Sequence, residues 1–260
     1  MGWKDAIDYL RSATRRGAES EPRQDDGLPM QARIGSLVSL QLSPLLRASA
    51  EGSLITLPEE EDTRILAISQ LKLSMAGRVY RYYLATGDND SEEKFLQLYV
   101  DEQGEVKEIL YCTQLVRVTP ETVDDQDAYT GANGHGLGDR NYTLWRGQLE
   151  EIGVGAAAIE TAFGAEEAID YRRDAGDPEA DFIPPYSGTE TRLDDAAGML
   201  GLKQQLYFMP YVRPLRDGGQ EFLLVTTEVL QSVNGDARKR GIHVDFVVGI
   251  RVEQERLVIQ

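Results

Sequence analysis

The reactive side chains of this 260-residue chain are few and scattered. Its lone cysteine, Cys112, has two histidines that could act as its base, His135 and His243. Cys112 lies in EILYCTQLVRV, a run with strand character, on one face with Leu110 and Gln114. A free cysteine there reads as a small buried hydrophobe. Zinc requires about four clustered Cys, His or carboxylate ligands, and these three residues are nowhere at ligand spacing. Asp88, Asp90 and Glu92 alternate as the start of a calcium loop would. Glu93 stands where that loop needs glycine, however, and Tyr99 where it needs its closing glutamate, so a solvated hairpin turn is expected.

The stretch TGANGHGLGDRN (130–141) has the glycine content of a phosphate-binding loop, but no Gly-Lys-Ser/Thr follows it and no strand leads into it. It is expected to be a mobile surface loop with His135 exposed. His243 and Asp245 share the non-core face of the last strand and read as a surface pair; they are the only site candidates in the body of the chain. No Gly-x-Ser-x-Gly elbow occurs. Carboxylates are so numerous that spacing singles out no acid–base pair. No catalytic residue, metal ligand or cofactor is therefore assigned.

The elements that would position these residues are mostly strands. In residues 1–16, Trp3, Ile7 and Leu10 fall on one stripe of an amphipathic helix, while Lys4, Arg11, Arg15 and Arg16 oppose only Asp5 and Asp8. That end is locally basic and is the candidate contact for a partner or an anionic membrane. GAESEPRQDDGLP opens a linker expected over 17–33. From residue 34 the period becomes two: IGSLVSLQL, GSLITL, TRILAISQLKLS, RVYRYYLA, FLQLYV and EVKEILYCTQLVRV form a meander over 34–118. Residues 119–203 read as a helical, loop-rich insertion, with helix-like spacing over 142–173 and Pro184–Pro185 in an irregular stretch. A second meander follows over 204–260, with Ile242, Val244, Phe246, Val248, Ile250 and Val252 on one face. The expected fold is α+β and predominantly antiparallel β, with residues 34–260 as a single domain in which two meanders flank the helical middle.

Composition narrows the function classes. A hydrophobic fraction of 41% provides a core. Twenty-seven Lys and Arg against 44 Asp and Glu give a net charge of −17, which repels a phosphate backbone, so nucleic acid is not an expected partner. No run reaches the roughly 18 apolar residues of a membrane span, and charges at Asp5, Asp8 and Arg11 interrupt any signal-like segment. A single cysteine allows no internal disulfide. The expectation is a cytoplasmic protein, peripheral to the inner membrane where its first helix docks.

RVYRYYLATGDNDSEEKFLQLYVDEQGEVKEILYC, followed by LWRGQLEEIG, YRR, EFLLVTTEVL and DFVVGI, resembles the YjfK-like family of bacterial proteins of unknown function over roughly residues 35–255. That family has no established catalytic residues to carry over. The resemblance implies a setting beside a phage-shock-protein-A-like coiled coil, small membrane proteins and a glutathionylspermidine-synthase-like ligase. Three readings follow from residues and setting together. The first is a non-catalytic accessory protein of envelope maintenance, the second an enzyme or binder of a cationic polyamine–thiol conjugate, and the third a self-assembling structural protein.

Overall fold

The computed structural model describes residues 23–85, 92–196, 198–199, 201–230 and 241–260. The N-terminal helix expected over 1–16, residues 17–22 of the expected linker, and Asp88 and Asp90 lie outside them. The strands are β1 (Leu37–Leu40), β2 (Asp62–Leu73), β3 (Arg78–Leu84), β4 (Lys94–Val100), β5 (Val106–Val118), β6 (Asn141–Trp145), β7 (Ala168–Arg173), β8 (Tyr186–Leu193), β9 (Gly201–Pro214), β10 (Gln220–Leu230), β11 (Gly241–Arg251) and β12 (Leu257–Ile259). The helices among the described residues are short: α1 (Ser43–Ala50), α2 (Val123–Thr130), α3 (Arg146–Glu151) and α4 (Ala156–Phe163).

Eight strands close on themselves in the order β2-β3-β4-β5-β11-β10-β9-β8 and back to β2, every pair antiparallel. The remaining four strands lie beside this barrel, as β12-β1 on β2 and β6-β7 on β9. The α+β arrangement of two meanders around a helical middle is thus overturned: the molecule is mostly β, and the two meanders are halves of one ring. The joining piece is β8, YSGTETRL, which follows Pro185 directly and pairs β2 on one side and β9 on the other. Its polar sequence carries no strand period, because its stability comes from two long-range ladders and not from its own side chains. For the same reason Asn141–Trp145 and Ala168–Arg173, of which 142–145 and 168–173 fall in the stretch read as helical, are β6 and β7.

Closure buries the inner face of the barrel strands and packed helices and segments cover much of the outer one, so period two sorts side chains between two cores. Val79 and Tyr83 of β3 point into the lumen with Phe95, Leu110, Cys112, Phe208, Phe222, Leu224 and Val247. Tyr80, Tyr82 and Leu84 point outward into a larger core with Leu96, Leu98, Tyr111, Met209, Val244, Phe246 and Val248. Leu45 and Ala48 of α1, Leu149 of α3, and Ile159 and Phe163 of α4 pack onto that outer core.

Two sequence expectations fail locally. GSLITL (52–57) is extended but pairs in no ladder; its amides bond side chains instead, Leu54 N to Glu221 Oε2 (2.6 Å) and Thr56 N to Thr113 Oγ1 (3.2 Å). Residues 23–33, expected in the linker, pack on the barrel through buried Leu28 and Ala32, while fully buried Asp25 accepts from Arg23 (2.7 and 2.6 Å) and from Ile34 N (3.0 Å).

The seam between β2 and β8 depends on Gly188. A Cβ there would fall 2.0 Å from Lys72 O and 2.9 Å from Leu73 Cα, so the two backbones approach only because the side chain is absent. Gly188→Ala is expected to lower stability by about 2–4 kcal/mol. Gly147→Ala, in α3 with open space around it, should be neutral or slightly stabilising. Urea midpoints of the two variants check this; equal midpoints would show that the seam tolerates a methyl group.

Candidate functional site

At one end of the barrel β3, β5, β8 and β10 finish and β4, β9 and β11 begin. Alternation points Arg117, Arg192, Glu228 and Asp245 inward near this end, with Glu93 and His243 at its rim and Arg81, Gln97, Glu190, Gln204 and Thr226 farther in. The polar residues are inserted into strands that are otherwise apolar, RVYRYYL and EFLLVTTEVL, so the ladders carry their charges into the lumen.

Arg81 is the largest of the fully buried side chains. It crosses the barrel: Nε donates to Gln97 Oε1 on the adjacent strand (3.1 Å) and Nη2 to Thr226 Oγ1 on β10, four places around the ring (2.8 Å). Its guanidinium carbon lies 5.2 Å from the centre of the Phe95 ring. No described carboxylate forms an ion pair with it. Burial pulls its pKa down, but the field of Tyr83, Glu190, Glu228 and Asp245 more than offsets this and holds the guanidinium above its ordinary value. The cation is therefore balanced by nearby charges and not by one direct partner.

Those neighbours are mostly committed to each other. Asp245 accepts from Arg117 Nε (2.6 Å), Arg117 Nη2 (2.7 Å) and Gln114 Nε2 (2.7 Å), a bidentate pair that raises the Arg117 pKa. Arg192 donates to Glu93 Oε1 (3.0 Å) and lies 4.0 Å over the Tyr83 ring. Gln204 donates to Glu190 Oε2 (3.0 Å).

Glu228 differs from all of these. It is buried at 8% exposure, accepts no hydrogen bond from any described residue, and has Arg117 Nη2 at 3.7 Å as its nearest cation. Burial, with the like charges of Asp245 and Glu190, outweighs Arg117 and Arg81 and pushes its pKa up to about 7. Ser69 Oγ, on the lumen face of β2 opposite Arg81 and Arg192, is buried without a hydrogen-bond partner among the described residues. By contrast the buried carboxylate outside the barrel, Glu221, accepts from Ser53 Oγ, Leu54 N (2.6 Å), Tyr171 OH (2.6 Å) and Arg213 Nε (2.7 Å). Glu221 is saturated and ties the 52–54 segment to the barrel; Glu228 is free to take up or release a proton near neutrality.

The expected candidates fall as follows. His243 and Asp245 are on the lumen face, not a non-core surface, and do not bond each other: Arg117 and Gln114 occupy Asp245, and His243 Nδ1 meets Thr119 Oγ1 at 3.1 Å. Cys112 is fully buried in the lumen, where burial pushes its thiol pKa up and away from thiolate chemistry. His135 is exposed, but its loop is pinned: Leu137 is buried, Gly138 N donates to Tyr211 OH (2.9 Å), and Arg173 Nη1 donates to Gly138 O (2.6 Å). Trp3, Lys4, Ile7, Leu10, Arg11, Arg15 and Arg16 lie outside the described residues. Among the described residues no group of His, Cys, Asp and Glu is placed to hold a metal ion, and no helix is long and apolar enough to cross a membrane. Sequence reasoning missed Arg81 and Glu228, although a charge inside an apolar strand was the available signal.

Because the folded pKa of Glu228 stands above its ordinary 4.5, the folded state holds a proton that the unfolded chain gives up between about pH 4.5 and 7. This contribution to stability is complete below that window and lost as pH rises through it. Glu228→Gln is expected to remove it, leaving a variant about 1–3 kcal/mol more stable than the native chain at pH 8 and close to it at pH 4.5. Urea unfolding across that range is the measurement, and parallel stability curves for the two proteins would refute the assignment.

The family model described as protein of unknown function (DUF2491) matches residues 11–257. No curated protein and no solved structure matches, and no named relative supports the narrower YjfK-like designation. With nearly its whole length matched, the chain belongs to the DUF2491 family.

Proposed function

We propose that this chain is a non-catalytic interaction module, an accessory protein that recognises a protein partner in membrane or envelope maintenance. The observation behind this reading is the corner between β6 and α3. There Trp145, the last residue of β6, is 52% exposed, and Ile152, just past the end of α3, is 42% exposed; among the described residues β7 is the only ladder neighbour of β6. Exposed tryptophan is the residue type most enriched among interface hot spots, and an open strand edge is a ready contact surface. Cys112 is meanwhile kept from thiolate chemistry by burial, and Asp245 is committed to Arg117. The resemblance supplies the partner to try first, a phage-shock-protein-A-like coiled coil. A peripheral membrane contact through residues 1–16 belongs to the same proposal.

A second reading has Glu228 in its favour. A carboxyl at a barrel mouth that accepts no hydrogen bond from the described residues, with Glu190 and Asp245 around it and Arg117 Nη2 3.7 Å away, is a group that a cationic small molecule such as a polyamine–thiol conjugate would use. Self-assembly through the free edges of β6 and β12 is the third arrangement.

The test is direct binding of the full chain to the purified coiled-coil protein encoded in the same genome, followed by sedimentation. A complex with micromolar affinity is expected, and Trp145→Ala should weaken it by about tenfold or more. Absence of a complex at about 100 µM of each protein would overturn the interaction reading for that partner. Stabilisation by spermidine conjugates that Glu228→Gln abolishes would move the assignment to the second reading, and a concentration-dependent homo-oligomer that Trp145→Ala disperses would move it to the third.

A further inference from the structure

The sheet runs out at β6. Its residues Asn141, Tyr142, Thr143, Leu144 and Trp145 pair with β7 and, among the described residues, with no other strand. The bonds at the two ends of this ladder fix which backbone groups it uses: Arg146 N donates to Glu167 O (2.9 Å) and Arg173 N to Arg140 O (2.8 Å). Residues that exchange bonds alternate along an antiparallel pair. Tyr142 and Leu144 therefore turn their N–H and C=O toward β7, while Asn141 and Thr143 turn theirs away from it, as Trp145 does its N–H. None of these outward groups is bonded to a described residue.

Open edges are normally blunted by a charge, a proline or a bulge. β6 has no charged residue and no proline, and its register with β7 is unbroken. Its outer face carries exposed Asn141 and Trp145 on either side of half-buried Thr143, while Tyr142 and Leu144 pack into the core behind and hold the edge in place. An α-helix spends its backbone groups on itself and cannot answer such an edge; an extended chain presents N–H and C=O at the matching spacing.

The charges of the β6–β7 ribbon are also unbalanced. Arg140, Arg146 and Arg172 are each set against a carboxylate, Asp181 (2.9 Å), Glu160 (3.4 Å) and Glu179 (2.8 Å). Glu166, Glu167 and Asp170 are exposed and enter no ion pair among the described residues; Asp170 accepts from Thr143 Oγ1 (2.5 Å). The paired groups cancel and the three carboxylates remain.

We propose that β6 receives an extended, non-helical segment of the partner protein as an added strand, uncharged at its centre and bearing Lys or Arg to face Glu166, Glu167 and Asp170. This rests on the reading of the β6–α3 corner as the partner surface, and adds how the partner docks there and with what chemistry.

Selection of random peptides displayed on phage, with the full chain as bait, tests this, and Thr143→Pro is the discriminating variant. Proline at 143 removes an outward N–H and no bond to β7, a change that an edge strand tolerates. Enriched peptides should be rich in β-branched residues with Lys or Arg, and a synthetic copy should bind with a Kd of about 10–100 µM, weakened about tenfold or more by Thr143→Pro. In the native chain, bound peptide should slow amide exchange at Asn141, Thr143 and Trp145 and change Tyr142 and Leu144 little, a readout that does not depend on how well the variant folds. A selection that enriches nothing, peptides that bind the proline variant equally, or peptides that leave those three amides unprotected would overturn strand addition. Enrichment of acidic peptides would overturn the charge assignment. Protection of the same amides by raised chain concentration alone would make a second copy the occupant and overturn the assignment to a partner. A coiled-coil complex indifferent to Thr143→Pro would overturn strand addition while sparing the functional reading; peptides that bind as expected, with no coiled-coil complex, would support strand addition and count only against that partner.

Discussion

Everything in this molecule depends on the backbone pairing that inserts β8 between β2 and β9. Without it, β2–β5 and β9–β11 would form one open sheet joined at β5 and β11, with Ile68–Leu73 of β2 and Gly201–Phe208 of β9 left unpaired on one side. With it, the sheet becomes a ring and both stretches are paired. The ladders on either side of β8 run from Ile68↔Leu193 to Leu73↔Gly188 and from Tyr186↔Phe208 to Leu193↔Gly201, so the joint is made along nearly the whole strand. Backbone hydrogen bonds satisfied on both sides make a polar, weakly patterned strand stable.

Closure has a price in the lumen. An eight-stranded barrel leaves room for side chains and little else, so each inward residue must pack against those from the far wall. Apolar residues fill most of that space, but Arg81 brings a full charge, and burying a charge is tolerated only when polar partners surround it. Gln97, Thr226 and the Phe95 ring supply contacts, while Glu190, Glu228 and Asp245 supply compensating field. Asp245 is in turn neutralised by Arg117. Glu228 is left as the member of the network with a charge to balance and no bond to make, and its raised pKa is the electrostatic remainder of that arrangement.

The same economy separates the barrel interior from the outside. Glu221 and Arg213, on the outer face of the ring, form a saturated cluster that fastens Ser53 and Leu54 beneath α1. The fastening positions α1, whose Leu45 and Ala48 cover part of the outer core.

The amino-acid sequence by itself determined the strands whose own side chains alternate or run apolar, RVYRYYLA, FLQLYV, EFLLVTTEVL and DFVVGI. It determined the glycine and aspartate turns between them, such as Asp101–Glu105, where Asp101 Oδ1 accepts from Gln103 N and Glu105 N. It also determined the burial of Cys112, whose neighbours place it on an apolar face. Only the tertiary structure decided that β6, β7 and β8 are strands, because their stability resides in partners distant along the chain. It alone made a second interior of the face that carries His243 and Asp245, since a period of two says which residues share a face and not what covers it. The roles of Arg81 and Glu228 were decided there too: a charge in an apolar strand is visible in one dimension, but its partners, its burial and its pKa come from strands on the far side of a closed ring.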